Sequence, residues 1–219
     1  FVTGRNKRAI EDHFDNNQEL EMALRAKGKV EQADMVKNIL PAGVECIFVR
    51  QAEQLGLGHA VLCAERVVGG DPFAVLLADD FITSDGSGVT ADLTSAYEAT
   101  GRTQLSVMEV NGRDISKYGV VVPNRTPGSV AGLIEKPEAD KAPSNLASIG
   151  RYVLTPDIFE ILRNQQAGAG GEIQLADAIN TQAANNAVEA VKLKGRRFDC
   201  GSVEGYLDAI MHVAERRKR

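Results

Sequence analysis

Apolar residues along this chain recur with two periods. From Gln18 to Leu40, "QELEMALRAKGKVEQADMVKNIL" spaces them three and four apart, the stripe of a surface helix. The pattern breaks near Gly28, where glycine costs about 1 kcal/mol against alanine inside a helix. "ECIFVR" reads as a strand, and "GHAVLCAERVV" as a short helix entered through a glycine loop. Strand and helix patterns then alternate: "FAVLLA", a helix around "LTSAYEA", "QLSVMEV", and strands in "YGVVVP", "VAGLIEK" and "SIGRYVLT". Helices follow at "PDIFEILRN" and "IQLADAINTQAANN", and "VEAVKLK" is the last predicted strand. In the tail, Ser202 is placed to cap a helix whose apolar stripe is Val203, Leu207, Ile210 and Ala214. Such alternation predicts an α/β fold with a mainly parallel sheet covered on both faces by helices.

A chain of 219 residues can remove roughly 70% of its unfolded surface from water, and no internal repeat or low-complexity linker divides it, so one domain over 1–219 is expected. It opens on "FVTGRNKRAIEDHFD", which lacks an initiating methionine and begins with what reads as a strand end at Phe1 to Thr3. The expectation is that at least one preceding strand belongs before it. A hydrophobic fraction of 43% is that of an ordinary globular protein. No apolar run approaches the ~20 residues that span a bilayer and no signal peptide opens the chain, which predicts a cytoplasmic protein with no membrane partner. The 25 Lys+Arg against 30 Asp+Glu leave a charge of -5, so no sequence-wide attraction draws in nucleic acid. Cys46, Cys63 and Cys200, like His13, His59 and His212, are scattered with no metal-ligand spacing and read as reduced thiols and solvated or helix-surface histidines.

The chemistry-bearing signal is "FAVLLADDFITSDGSG", six apolar residues running into Asp79 and Asp80 and then into a loop with Gly, Ser and Thr. In open α/β sheets ligands sit beyond the carboxyl ends of strands, and a carboxylate there suits magnesium, a hard cation that arrives with phosphates. Aspartate also bonds its own backbone in turns, and the pattern alone fits both readings equally. Glu135 and Lys136 stand at a strand end before a proline. A carboxylate there can accept hydrogen bonds from sugar hydroxyls and an ammonium can hold a phosphate, or the two can form a surface ion pair. Asp199 alone reads as an acid at a helix start.

Taken in order, "VRQAEQLGLGHAVLCA", "LLADDFI", "KYGVVVP", "GLIEKPEADKAPSNLASIGRYVL", "GAGGEIQLADAI" and "FDCGSVEGYLDA" resemble the bacterial UTP-glucose-1-phosphate uridylyltransferases, a family of sugar nucleotidyltransferases, from Phe1 to about His212. The resemblance implies a Rossmann-like, mostly parallel mixed sheet of the nucleotide-diphospho-sugar transferase type. It also implies that UTP and glucose 1-phosphate give UDP-glucose and pyrophosphate with Mg2+. By the same resemblance Asp79 and Asp199 hold the magnesium, with Asp80 supporting at most, because many relatives carry an apolar residue there. Glu135 holds sugar hydroxyls and Lys136 the sugar phosphate, while Gly119 and Gly150 let the sugar approach the backbone. Gln51 and Gly56 select uracil, Gly58 shapes their turn, and Glu172 supports the sugar pocket; His59 stays structural. Relatives form dimers or tetramers, so a homodimer or homotetramer is expected.

The family's opening glycine-rich loop, G-x-G-T-R, and the lysine of a P-K-E stretch are not among these residues. Those groups grip the triphosphate, so the expectation is an N-terminally incomplete domain that is inactive alone. Other readings are a transferase for another nucleotide or sugar phosphate, a metal-dependent glycosyltransferase, and a binding module without turnover. Lys136 argues against the glycosyltransferase, since a neutral acceptor needs no second phosphate clamp.

Overall fold

The computed structural model describes residues 1–217, which form two compact units, Phe1–Gln54 and a second from Leu55 onward. The first unit contains β1 (Val2–Thr3), α1 (Arg8–Phe14), α2 (Gln18–Ala26), α3 (Val30–Lys37) and β2 (Val49–Arg50). The helical pattern breaks where glycine predicts: α2 stops at Ala26, and Gly28 turns the chain with φ of +72°, a left-handed value that costs glycine nothing. β1 and β2 pair in parallel, Val2 opposite Val49, and the Gln51 amide extends that ladder onto the Thr3 carbonyl at 2.9 Å. The strand read over "ECIFVR" contracts to Val49–Arg50, the two residues that pair with β1.

The second unit runs α4 (Leu57–Cys63), α5 (Glu65–Val68), β3 (Phe73–Leu76), β4 (Asp80–Thr83), α6 (Val89–Thr100), β5 (Thr103–Glu109), β6 (Gly119–Pro123), β7 (Val130–Glu135), β8 (Leu146–Leu154), α7 (Ile158–Asn164), α8 (Leu175–Ala184), β9 (Val188–Lys192), β10 (Arg196–Asp199) and α9 (Val203–Arg216). Its main sheet has the order β7-β6-β8-β5-β9, with β3 also on β8. Alternation along β8 serves both faces. Tyr152 and Leu154 join a core with Ile158, Phe159 and Leu162 of α7 and Leu175 and Ile179 of α8. Val153 points the other way, to Val89 and Leu93 of α6. Fully burying one such aliphatic side chain stabilises by roughly 1.5–3 kcal/mol.

The α/β class and the mixed, helix-flanked sheet are as expected. The sheet is less parallel than the alternation implied: within it only β5 and β9 pair in parallel among the described residues. β8 runs against β3, β5 and β6, and β6 and β7 form a hairpin closed by the Asn124 amide on the Ser129 carbonyl. Two strands escape the sequence pattern altogether. The loop expected after Asp80 is β4, which pairs antiparallel with β10, a strand beyond the last predicted one. α9 starts where expected, the Ser202 hydroxyl accepting from the Gly205 amide at 3.1 Å. Its apolar stripe faces outward, however: Val203, Leu207 and Ile210 are exposed and Ala209 is the buried residue. A helix laid on a two-stranded sheet has only a narrow surface to cover. Among the described residues no helix is long and apolar enough to cross a membrane.

One feature of the sheet positions the site. Along one edge of β8, β6 pairs at Ala147 and β3 takes over at Arg151, so a break in strand pairing lies between them, around Ser148 and Ile149.

Candidate active site

A cavity of about 210 Å³ occupies this break, lined among others by Asp79, Gly119, Glu135, Ser148, Gly150 and Arg197. The end of β3 enters it from one side and the start of β6 from the other. At its back the Leu77 amide donates to the Gly150 carbonyl at 2.9 Å, and the Gly150 amide donates to Asp80 Oδ2 at 2.5 Å. A Cβ on residue 150 would lie 2.5 Å from that carboxylate and 2.6 Å from the Leu77 side chain, so only glycine lets the two strands close here.

The turn that carries Asp79 is clamped on two carbonyls by Arg151, whose Nη1 donates to Leu77, and also to Gly150 of its own strand, and whose Nη2 donates to Asp80. Burial holds the Arg151 guanidinium below its ordinary pKa, although Asp80 and Asp79 pull the other way. The Asp79 carbonyl in turn accepts from the Cys200 amide at 2.8 Å, which ties this turn to the loop after β10. Asp79 and Asp199 thereby converge: the Cβ that Gly201 lacks would sit 3.3 Å from Asp79 Oδ2 and 3.2 Å from Asp199 Oδ1.

Asp80 is taken out of this pair. It is 4% exposed, and its Oδ1 accepts from Arg197 Nε and pairs with Nη2 of the same guanidinium. Burial would lower the Arg197 pKa, but attraction to Asp80 and the hydrogen bond to it more than offset this and hold it above its ordinary value. Arg197 also donates to the Tyr118 hydroxyl at 3.1 Å and lies 3.7 Å from Asp199. Two carboxylates with all-oxygen donors remain available, the set that suits a hard divalent cation completed by phosphate and water oxygens. Among the described residues no group of three or more His, Cys, Asp and Glu side chains could hold a metal by itself.

On the other side of the cavity Gly119 lies opposite Glu135 in the β6–β7 ladder, so the two line it together. Lys136 follows with φ of +44°, one of two non-glycine residues with positive φ among the described residues. Its amide donates to the Tyr118 carbonyl at 3.0 Å. Such a conformation costs of order 1–3 kcal/mol and concentrates at functional sites. The surface ion pair also exists, Lys136 Nζ being 3.9 Å from Glu135 Oε1, but both side chains are more than half exposed and the pair is worth little.

Of the remaining expected residues, Gly56, Gly58 and Glu172 form a second group within the second unit. Gly56 has φ of +95° and packs on Glu172 and Ile173. The Gly58 amide donates to the Ile173 carbonyl at 2.8 Å, and the Ile173 amide donates to that of Leu55. Glu172 accepts from Gln174 Nε2, and Gln174 and Leu57 line the cavity. Gln51 belongs to the first unit, on the β1–β2 ladder. His59 approaches Cys63 Sγ at 4.0 Å within α4, and His212 meets the Thr83 hydroxyl at 3.2 Å. Tyr118, Arg151 and Arg197 are missing from the expected set. Arg197 could have been found had "RRFD" been read as a strand, for it then shares a face with Asp199.

A model of the nucleotidyl transferase family matches residues 2–216. The chain is 46% identical over 217 residues to the UTP-glucose-1-phosphate uridylyltransferase of Staphylococcus epidermidis, covering 98% of this chain and 75% of that one. A UTP-bound UGPase from Acinetobacter baumannii is 40% identical with a TM-score of 0.88, covering 97% of this chain and 75% of that one. A UDP-glucose pyrophosphorylase complexed with UDP-glucose is 43% identical with a TM-score of 0.80, over 100% and 80% of the two chains. The chain belongs to the nucleotidyl transferase family, among its UTP-glucose-1-phosphate uridylyltransferases.

Proposed function

We propose that this protein transfers a uridylyl group from UTP to glucose 1-phosphate, giving UDP-glucose and pyrophosphate. The observation that carries this reading is the identity of 44–46% to uridylyltransferases over 95% or more of the chain, with Asp79, Glu135 and Gly150 lining one cavity. A phosphate oxygen of glucose 1-phosphate attacks the α-phosphorus of UTP in line and pyrophosphate leaves. Two polyanions meet, so the protein's task is positioning and charge compensation, and no side-chain nucleophile is required.

In this reading Asp79 and Asp199 hold Mg2+. When bound, magnesium supplies positive charge on the nucleotide phosphates and offsets what builds on the leaving group. Lys136 holds the sugar phosphate as a point charge, and Glu135 accepts from sugar hydroxyls, while Gly119 and Gly150 leave room for the ring. Gln51 and Gly56 present donors and acceptors to uracil, Gly58 shapes the turn, and Glu172 braces Gln174 at the cavity wall. The working unit is a homodimer or homotetramer, a point that sedimentation tests and a monomer would overturn. The activity is tested by pyrophosphate release from the natively expressed enzyme with glucose 1-phosphate and each of the four nucleoside triphosphates. UTP should be strongly preferred; equal rates with all four would overturn the reading.

A further inference from the structure

The sugar wall and one of the two candidate metal carboxylates stand on different sheets. Gly119 opens β6 and Glu135 ends β7 of the main sheet, with Lys136 just beyond, whereas Asp199 ends β10 of the two-stranded β10–β4 sheet. Their alignment depends on what ties the one sheet to the other. The Asp199 side chain is about half exposed, so close packing does not orient it. Its Oδ1 accepts from the Gly201 amide at 3.2 Å, a contact within its own turn, and its Oδ2 lies 3.7 Å from Arg197 Nη2.

The Arg197 guanidinium is a planar fork of five donors, and the structure holds it at both ends. At one end Nε and Nη2 engage Asp80, which itself accepts from the Gly150 amide of β8. At the other end Nη1 donates to the Tyr118 hydroxyl at 3.1 Å, with the guanidinium 5.3 Å from the Tyr118 ring centroid. A fork held at one end can swing about that contact; held at both, its Nη2 edge is fixed beside Asp199. Tyr118 is a firm second anchor, because its ring packs against the cluster of Ile115, Val120 and Ala147. Its backbone belongs to the sugar wall: it precedes Gly119, and its carbonyl accepts from the Lys136 amide at 3.0 Å.

On the reading that Asp79 and Asp199 hold magnesium and that Gly119 and Lys136 receive glucose 1-phosphate, we propose that Tyr118 is a positioning residue: through Arg197 its hydroxyl holds Asp199 in line with the sugar wall. It needs no contact with substrate to do so. Groups that brace metal-ligating side chains typically contribute about 10- to 100-fold in metal affinity. Tyr118 acts one contact further out than such a brace, which places its loss at the low end of that range.

The test uses Tyr118→Phe in the natively expressed enzyme, which keeps the ring and removes the hydroxyl. Binding of Mn2+, the probe for the divalent site, is measured with saturating UDP-glucose from the paramagnetic resonance of the free ion, beside pyrophosphate release and thermal unfolding. Tyr118→Phe should bind Mn2+ about ten-fold more weakly and lower kcat by a similar factor, with the KM for glucose 1-phosphate and Tm near wild type. Wild-type Mn2+ affinity, whether or not Tm falls, overturns the assignment of Tyr118. Asp199→Asn separates the two ways of failing. If it loses Mn2+ while Tyr118→Phe does not, the metal reading stands and Tyr118 merely packs; if it too binds Mn2+ as wild type does, the metal reading fails and the proposal with it.

Discussion

At the scale of single residues, Lys136 is the most informative side chain, because its backbone is held left-handed at φ +44° just before Pro137 while its ammonium remains exposed. Lys136→Ala should weaken glucose 1-phosphate binding about 10-fold, the worth of one charge-assisted contact in a partly wet site, with UTP affinity unchanged. Calorimetric titration checks this; equal affinities would reduce Lys136 to half of a surface ion pair. Gly150→Ala should destabilise the protein by about 1–3 kcal/mol, since the added methyl meets Asp80 Oδ2 and Leu77 and overpacks the strand junction. Thermal unfolding measures it, and an unchanged Tm would mean that the junction is looser than its geometry shows. Much at this scale was legible. Asp79 and Glu135 stood out because each stops an apolar run, whereas Gly119, which opens β6, and Gly150, inside β8, were expected only through the family resemblance; all four line one cavity. The work of Asp80 was not legible, for nothing in "ADD" says that one acid faces a guanidinium 117 residues away.

At the scale of elements, the long alternating strands and the periodic helices were readable, whereas β4 and β10 were not. Each has only four residues and carries charges where a core strand would carry apolar groups, so their pairing depends on a tertiary contact that no local pattern encodes. That contact is the Asp80–Arg197 pair, both side chains being largely buried. Arg197→Met should therefore cost about 3–5 kcal/mol by leaving a buried carboxylate uncompensated. Adding Asp80→Asn, which keeps an acceptor for the Gly150 amide, should recover part of that loss, with a coupling of about 0.5–3 kcal/mol in a double-mutant cycle. Strictly additive unfolding energies would show that the two side chains do not hold β4 to β10. The outward stripe of α9 has the same origin: helical period predicts which residues share a face, and only the neighbouring sheet decides which face is covered.

At the scale of the whole molecule, the sheet presents its chemistry at one place because β8 exchanges partners there. β6 brings Gly119, β7 brings Glu135 and Lys136, β3 delivers Asp79, and β10 delivers Asp199 beside it. The α/β class followed from alternation, but the direction of β8, on which this convergence depends, could not, since an antiparallel strand and a parallel one share the same apolar pattern. The central claim is that Asp79 and Asp199 together hold the magnesium on which uridylyl transfer depends. Pyrophosphate release from UTP and glucose 1-phosphate, followed across a magnesium titration for wild type, Asp79→Asn and Asp199→Asn, tests it most directly. Each substitution keeps the side chain's shape, so Tm should change little while turnover falls by ~100-fold or more and the magnesium needed for half-maximal rate rises. Near-normal rates at the wild-type magnesium requirement in both variants would contradict the account.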